Sequence, residues 1–228
     1  QHPEHKPSRY VIFLSDLKEE SELDKYPDLK AIIEEKVKPL RLQLDDKPNF
    51  IPLKRKWWCY QAHRPELYSK LKNKQKALVI SQTSKYPLFA FLPSNYIYSQ
   101  KLNVFLFDRY CEFAILQSSI HSLWSTFMGS TMKDDPVYTP TDCFETFPFP
   151  PEAKLALIES IGEKYYLFRA ELMREKQKGL TSLYNEFHDP ECNDPKIVEL
   201  RNLHKQLDQE IVSAYGWSHL ALEYGFYL

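Results

Sequence analysis

The chain has 228 residues, 43% of them hydrophobic and 14% aromatic, and its formal net charge is −1. That is enough apolar material for a sizeable core, in one large domain or two small ones. Only five glycines argue against glycine-rich nucleotide loops and against a turn-dense β-sandwich, and no apolar run approaches the ~20 residues of a membrane-crossing helix.

Residues 1–8 are polar and read as a frayed end, and a chain that opens on Gln1 instead of Met reads as a piece of a longer protein. Arg9 to Leu14 (RYVIFL) is a strand-like apolar run. Asp28 to Lys38 is helical, ending before Pro39, and Asp45 to Asn49 is a polar break. Between residues 54 and 76 stand eight Lys or Arg against a single acid, Glu66, a local charge of about +7. Interleaved with Trp57, Trp58, Tyr60 and Tyr68, this density is the footprint of a polyanion-binding face; a solvated helix surface is the competing reading. In an extended segment Trp57 and Trp58 point to opposite sides, one into the core and the other outward. Pro65 to Leu71 reads as a short helix with proline in its first turn.

Three β-like runs follow, Ala77–Ser81, Leu88–Leu92 and Val104–Phe107, broken by Pro87, Pro93 and Asn95. Tyr110 to Phe127 reads as one buried helix, and residues 136–151 as a proline-punctuated connector. Beyond Pro151, Leu155, Ile158, Ile161, Tyr165, Phe168 and Leu172 form one apolar helical stripe, which Gly179 closes as a C′ glycine. Thr181–Phe187 is a short amphipathic piece. Asp194 then caps a second long helix opened by Pro195, with the stripe Ile197, Leu200, Leu203, Leu207, Ile211 and Ala214. Two such helices joined by a short break pack as an antiparallel pair.

Chemistry is harder to find. No Asn/Asp-Pro-Pro-aromatic loop grips an exocyclic amine, and no glycine-rich loop receives an adenosyl cofactor. Asp28 with Glu34-x-Lys36 matches a metal-nuclease pattern in letters, but falls within one helical stretch. His188, Asp189 and His204 are isolated and read as surface or capping residues. Cys59, Cys111, Cys143 and Cys192 lie far apart without a C-x-x-C pair, as reduced cytosolic thiols do. Binding is what remains. Lys54, Arg55, Lys56, Arg64, Lys70, Lys72, Lys74 and Lys76 are the candidates for phosphate contacts. Gln82, Ser84, Lys85 and Tyr86, on the polar loop after the first β-run, are the candidates for reading base edges. Loops 94–103 and 129–138 are the next places for readout. Trp57, Trp58, Gln117, His121, Trp124 and residues 147–150 read as architecture.

The succession KWWCYQAHRPELY, VISQTSKYPLFAFLPSNYIYS, FAILQSSIHSLWSTFMGS and YTPTDCFETFPFP resembles the target-recognition region of large Eco57I-like and type IIG/IIL restriction–modification enzymes, adenine-N6 DNA methyltransferases. The run GLTSLYNEFHD followed by IVELRNLHKQLDQEIVSAYGW resembles their C-terminal helical part, and EEKVKPLR the linker that leaves the methylase domain. The resemblance covers the chain from about residue 9 onward and implies an α+β fold: a mixed α/β target-recognition globule on a small twisted sheet, then a long antiparallel helical pair. It implies residues 1–44 as linker, 45–150 as target-recognition domain and 151–228 as helical spacer or cap. The implied function is sequence-specific recognition of double-stranded DNA for the parent's methyltransferase domain. S-adenosylmethionine would be bound there, with no cofactor in this piece. The implied partners are that domain, the duplex and a nuclease domain or subunit, with no membrane, in the cytoplasm. A helical protein–protein module that docks a restriction or translocase subunit is the alternative.

Overall fold

The computed structural model describes residues 2–61, 64–132 and 135–224. They form two compact units, Ser8–Asn73 and a larger unit of Lys74 onward together with the first seven residues. The division runs through the basic segment, and the C-terminal helices share a unit with the sheet.

Ser8–Asn73 is helical and irregular. A 3-10 turn, Glu20–Lys25, precedes α1 (Pro27–Lys36), which opens on proline and carries Asp28 in its first turn and Lys36 in its last, as the helix dipole favours. Pro39 cannot continue that helix and instead sits in the first turn of α2 (Lys38–Leu42). Asp28, Glu34 and Lys36 thus lie on one helix, with no hairpin to gather them round a metal. Two short helices follow, α3 (Ile51–Arg55) and α4 (Pro65–Leu71). The expected strand at 9–14 is absent, because no partner strand stands among the described residues of this unit. Its side chains pack all the same. Leu14 and Ile12 join Leu23, Ile33 and the two tryptophans in a small core, and Phe13 packs on the rings of Tyr60 and Tyr68.

Both tryptophans are buried, Trp57 to 2% exposure and Trp58 to 7%. The expectation that one faces outward fails because the backbone turns here, with Cys59 N–H donating to Lys56 C=O at 2.9 Å. The rings meet edge to face at 5.9 Å. Each indole N–H is satisfied, Trp57 by Glu20 Oε1 at 3.0 Å and Trp58 by Leu17 C=O at 3.4 Å.

The larger unit is built on three antiparallel strands, β1 (Lys76–Ser81), β2 (Phe89–Pro93) and β3 (Leu102–Phe105), in the order β2-β1-β3. Ala77 to Ile80 of the central strand are all buried. The helix expected over 110–127 is two: α5 (Tyr110–Gln117) and α6 (Ser119–Met128). Ser118 leaves helical geometry (ψ 157), and its hydroxyl accepts from His121 N–H at 3.2 Å, which makes it a new N-cap. A hairpin of β4 (Ser130–Met132) and β5 (Asp135–Val137) follows, then a π-helical turn, Pro140–Phe144.

α7 (Glu152–Lys176), α8 (Leu180–Phe187) and α9 (Pro195–Ala214) complete the unit. The Asp194 carboxylate accepts from Lys196 and Ile197 N–H, the cap its position before Pro195 predicts. α7 and α9 run antiparallel. Lys176 at the end of α7 pairs with Asp194 at 2.7 Å, and Tyr215 at the end of α9 donates to Pro148 C=O, just before α7, at 2.5 Å. Gly162 lets α7 meet the start of α5, since a Cβ there would lie 2.4 Å from Tyr110 C=O. Glu159, one turn earlier, accepts the free N–H groups of Tyr110 and Cys111 at 3.0 and 2.7 Å. Gly179 does not close α7: its φ is −76°, and it is the N-cap of α8. The left-handed position falls on Gln177 (φ 52°, ψ 38°), with Lys178 N–H returning to Met173 C=O in a Schellman closure.

Candidate nucleic-acid interface

The structure separates the basic segment into cations that face water and cations with partners. Arg55 and Lys56 at the end of α3, and Lys70 and Lys72 at the end of α4, are exposed, with no side-chain partner among the described residues. All four lie on Ser8–Asn73, where the carbonyl ends of short helices favour positive charge. Arg64 is half-buried in a left-handed conformation at the head of α4 (φ 47°). Lys54 is tied to Asp46 at 2.5 Å.

The other two belong to the sheet-bearing unit. Lys74 pairs with Asp108 at 2.9 Å. Lys76 is half-buried, its ammonium 4.0 Å from the ring centroids of both Phe91 and Tyr110. Burial pulls its pKa down, against the opposing charge of Asp108. Lys76 is therefore engaged as a packing cation over these two rings.

The polar loop after β1 is held on both sides. Gln82 N–H donates to Lys101 C=O at 2.9 Å, and Gln82 C=O accepts from Tyr138 N–H at 2.8 Å. Thr83 bridges Val137, and Ser84 N–H reaches Pro136 C=O at 3.4 Å. The loop is thereby stapled along β5, and two separate stretches of sequence become one polar edge. Thr83, Lys85, Ser130, Thr131 and Asp135 stand exposed on it. Gly129 is needed to start the hairpin, because a Cβ there would lie 2.5 Å from Ser125 C=O.

Of the groove-reading candidates, Lys85 is exposed and Gln82 half-buried, its amide 3.5 Å from Asn103 Oδ1. Ser84 makes a local turn, its hydroxyl donating to Tyr86 C=O at 2.6 Å. Tyr86 is a core residue. It is 4% exposed, its ring is stacked on His188 at 4.6 Å, and its hydroxyl donates to Asn185 Oδ1 at 3.1 Å. No face of it is left for a base. Asn185 lies 100 residues from Lys85 in the sequence, within the run GLTSLYNEFHD, where nothing local marks it as a neighbour of this loop.

One polar cluster lies deeper. Arg169, 1% exposed, donates to Gln117 Oε1 at 3.0 Å, Phe89 C=O at 2.7 Å and Tyr184 OH at 3.4 Å. From Tyr184 the chain of bonds runs through Tyr165 to His204 Nδ1. Ser119 Oγ and Asp208 Oδ2 both face His204 Nε2, at 3.1 and 3.6 Å. A nucleophile relay needs the carboxylate on the opposite ring nitrogen, so this is not one. His204 is buried in this interior, and His188 is half-buried against the rings of Tyr86 and Phe187. Burial lowers the His204 pKa, with Asp208 pulling the other way. Gln117, His121 and Phe147 are buried and Trp124 is half-buried, as architecture requires.

A small antiparallel sheet packed with helices, carrying a polar edge stapled from loop 82–84 and β5, is thus the frame of the candidate site. The family model of the MmeI target recognition domain matches residues 4–151, and the chain belongs to that family. Among solved structures, the fold is similar to that of the type IIL restriction–modification enzyme MmeI in complex with DNA. The TM-score is 0.66 at 20% identity, over 89% of this chain and 25% of that one. The chain thus spans a quarter of that enzyme's length. No match was found among curated proteins.

Proposed function

We propose that this chain reads a double-stranded DNA sequence for a restriction–modification methyltransferase that acts on adenine N6. The observation that carries this is the rigid polar edge in which loop 82–84 is bonded along Pro136–Tyr138. Base readout needs side chains on a scaffold that does not yield, and phosphate contacts only position it. Arg55, Lys56, Lys70 and Lys72 supply the positioning charge, and the methylase domain of the parent supplies S-adenosylmethionine chemistry. The MmeI structure, solved with DNA, supports the same reading.

The test is duplex titration over a range of salt. Replacing Arg55, Lys56, Lys70 and Lys72 by Ala weakens binding to all duplexes alike and flattens the log K against log salt slope by about one for each phosphate no longer neutralised. Lys76→Met leaves that slope alone. A slope unchanged in the fourfold variant overturns the positioning role. In the parent, mass spectrometry of modified DNA reads the methylated base directly.

A further inference from the structure

Resting on that DNA-reading function, we propose that α8, beyond the stretch matched to the family, belongs to the reading surface, with Asn185 and Lys85 forming a donor-only site for acceptor atoms of the duplex. Lys85 is exposed, and its ammonium donates to Asn185 Oδ1 at 3.2 Å. The buried Tyr86 hydroxyl donates to the same oxygen at 3.1 Å. An ammonium can only donate, so the carboxamide atom facing it is the oxygen, and the amide orientation is fixed. Both lone pairs of that oxygen are then used. What the exposed Asn185 presents outward is its NH2 group, and beside it Lys85 keeps two further N–H donors.

An asparagine with a free oxygen pairs with adenine by donating to N7 and accepting from N6. This one cannot accept. A positive, donor-only pair fits groups that present acceptors alone: the O6 and N7 edge of guanine, or phosphate oxygens. The pair is also held in place. His188, one turn after Asn185 on the same helix, stacks on Tyr86 at 4.6 Å, and Arg201 grips the end of α8 through Glu186 and Phe187 C=O at 3.0 and 2.9 Å. Lys85 is thus fixed by a helix distant in sequence, and Asn185 is both its positioning residue and a contact.

Asn185→Asp and Lys85→Met test the site in the full chain, by selection from a pool of randomised duplexes followed by titration in salt. Asp keeps an acceptor for Lys85 and Tyr86, so the loop stays in place while the outward donors become a carboxylate oxygen. Each variant should bind the selected duplex about tenfold more weakly, the scale of one good base contact. Loss of one selected guanine in both variants identifies the base edge. Unchanged selection with uniform weakening and a flatter salt slope identifies phosphate. Affinity, selection and slope all as in the unmodified chain overturn the site while leaving DNA reading intact. An unmodified chain that binds no duplex at low salt overturns the DNA-reading function and this site with it. Thermal melts of both variants exclude unfolding as the cause, since both substituted side chains are exposed.

Discussion

In Ser8–Asn73 the cations of Arg55, Lys56, Lys70 and Lys72 stand in solvent with no protein partner among the described residues. In the sheet-bearing unit three residues of the same types are engaged instead. Arg169 is enclosed by Phe113, Tyr165 and Tyr166 and bonded to Gln117 and Phe89. Arg201 donates to four backbone carbonyls, those of Glu186, Phe187, Asp189 and Cys192. Lys76 lies over two aromatic rings. Arg169, Arg201 and Lys76 thus serve as framework and the four cations of Ser8–Asn73 as open surface charge, although exposed Lys85 and engaged Lys54 show that each unit holds both kinds. A cluster of positive charge in a sequence counts both kinds together, and only the partners divide them.

The largest effect follows from that division. Arg169→Met removes the Arg169 donor from Phe89 C=O and the guanidinium packed on three rings, while Gln117 Oε1 keeps its bond from Phe89 N–H, and should lower the unfolding free energy by about 2–4 kcal/mol. The fourfold Arg55, Lys56, Lys70 and Lys72 alanine variant should stay within about 0.5 kcal/mol per site of the unmodified chain, as exposed substitutions do. Urea titration of both proteins checks this. Comparable losses would erase the distinction between framework and surface cations.

Packing inside the sheet-bearing unit sharpens the comparison next. Gly162→Ala places a methyl 2.4 Å from the Tyr110 carbonyl and 3.0 Å from Ala114 Cβ. Helix α7 must then move off α5, at about 1–3 kcal/mol, more than alanine's better helix propensity returns. A melting temperature equal to that of the unmodified chain would mean that the two helices do not meet this closely.

A further effect is pH-dependent and modest over any single pH unit. His121 is buried, its Nδ1 2.8 Å from Leu116 C=O and its Nε2 3.1 Å from Tyr138 OH. Burial pushes its pKa down from 6.5 to about 4. Between those values the unfolded chain takes up a proton and the folded chain does not. Stability therefore falls as pH falls through that window, by up to about 1.4 kcal/mol per pH unit for each such group, and this group costs nothing further below it. Buried His204, also lowered, acts in the same direction. Unfolding free energies measured across the window should slope less in His121→Gln; equal slopes would place the proton uptake elsewhere.

Periodicity and capping signals carry far in this sequence. The stripes of α7 and α9 and the Asp194–Pro195 start are local features, and a strand rich in valine and isoleucine such as β1 announces itself the same way. What is not legible depends on neighbours. RYVIFL has strand composition and no partner strand, and the Trp57–Trp58 pair reads as extended where the chain turns. Nothing near Tyr86 tells that Asn185 and His188 will cover it. The candidate site is legible as charge and as a polar loop. Its division into free and engaged groups is not, because Asp108, Asp46, Phe91 and Asn185 reach it only through the fold.

The end of α7 gives the smallest effect and separates a local signal from a tertiary one. Gly179 looks like the residue that closes the helix, yet its φ of −76° is open to any amino acid. Gln177 holds the left-handed position, where a side chain crowds its own backbone. Its amide donates to Arg174 C=O at 2.6 Å, an exposed bond that offsets little of that strain. Gln177→Gly removes the crowding and keeps the Lys178 to Met173 closure, while adding some freedom to the unfolded chain. The net expectation is a gain of about 0.5 kcal/mol, read as a small rise in melting temperature. A loss of the same size would show that the glutamine amide, and not the backbone closure, holds the helix end.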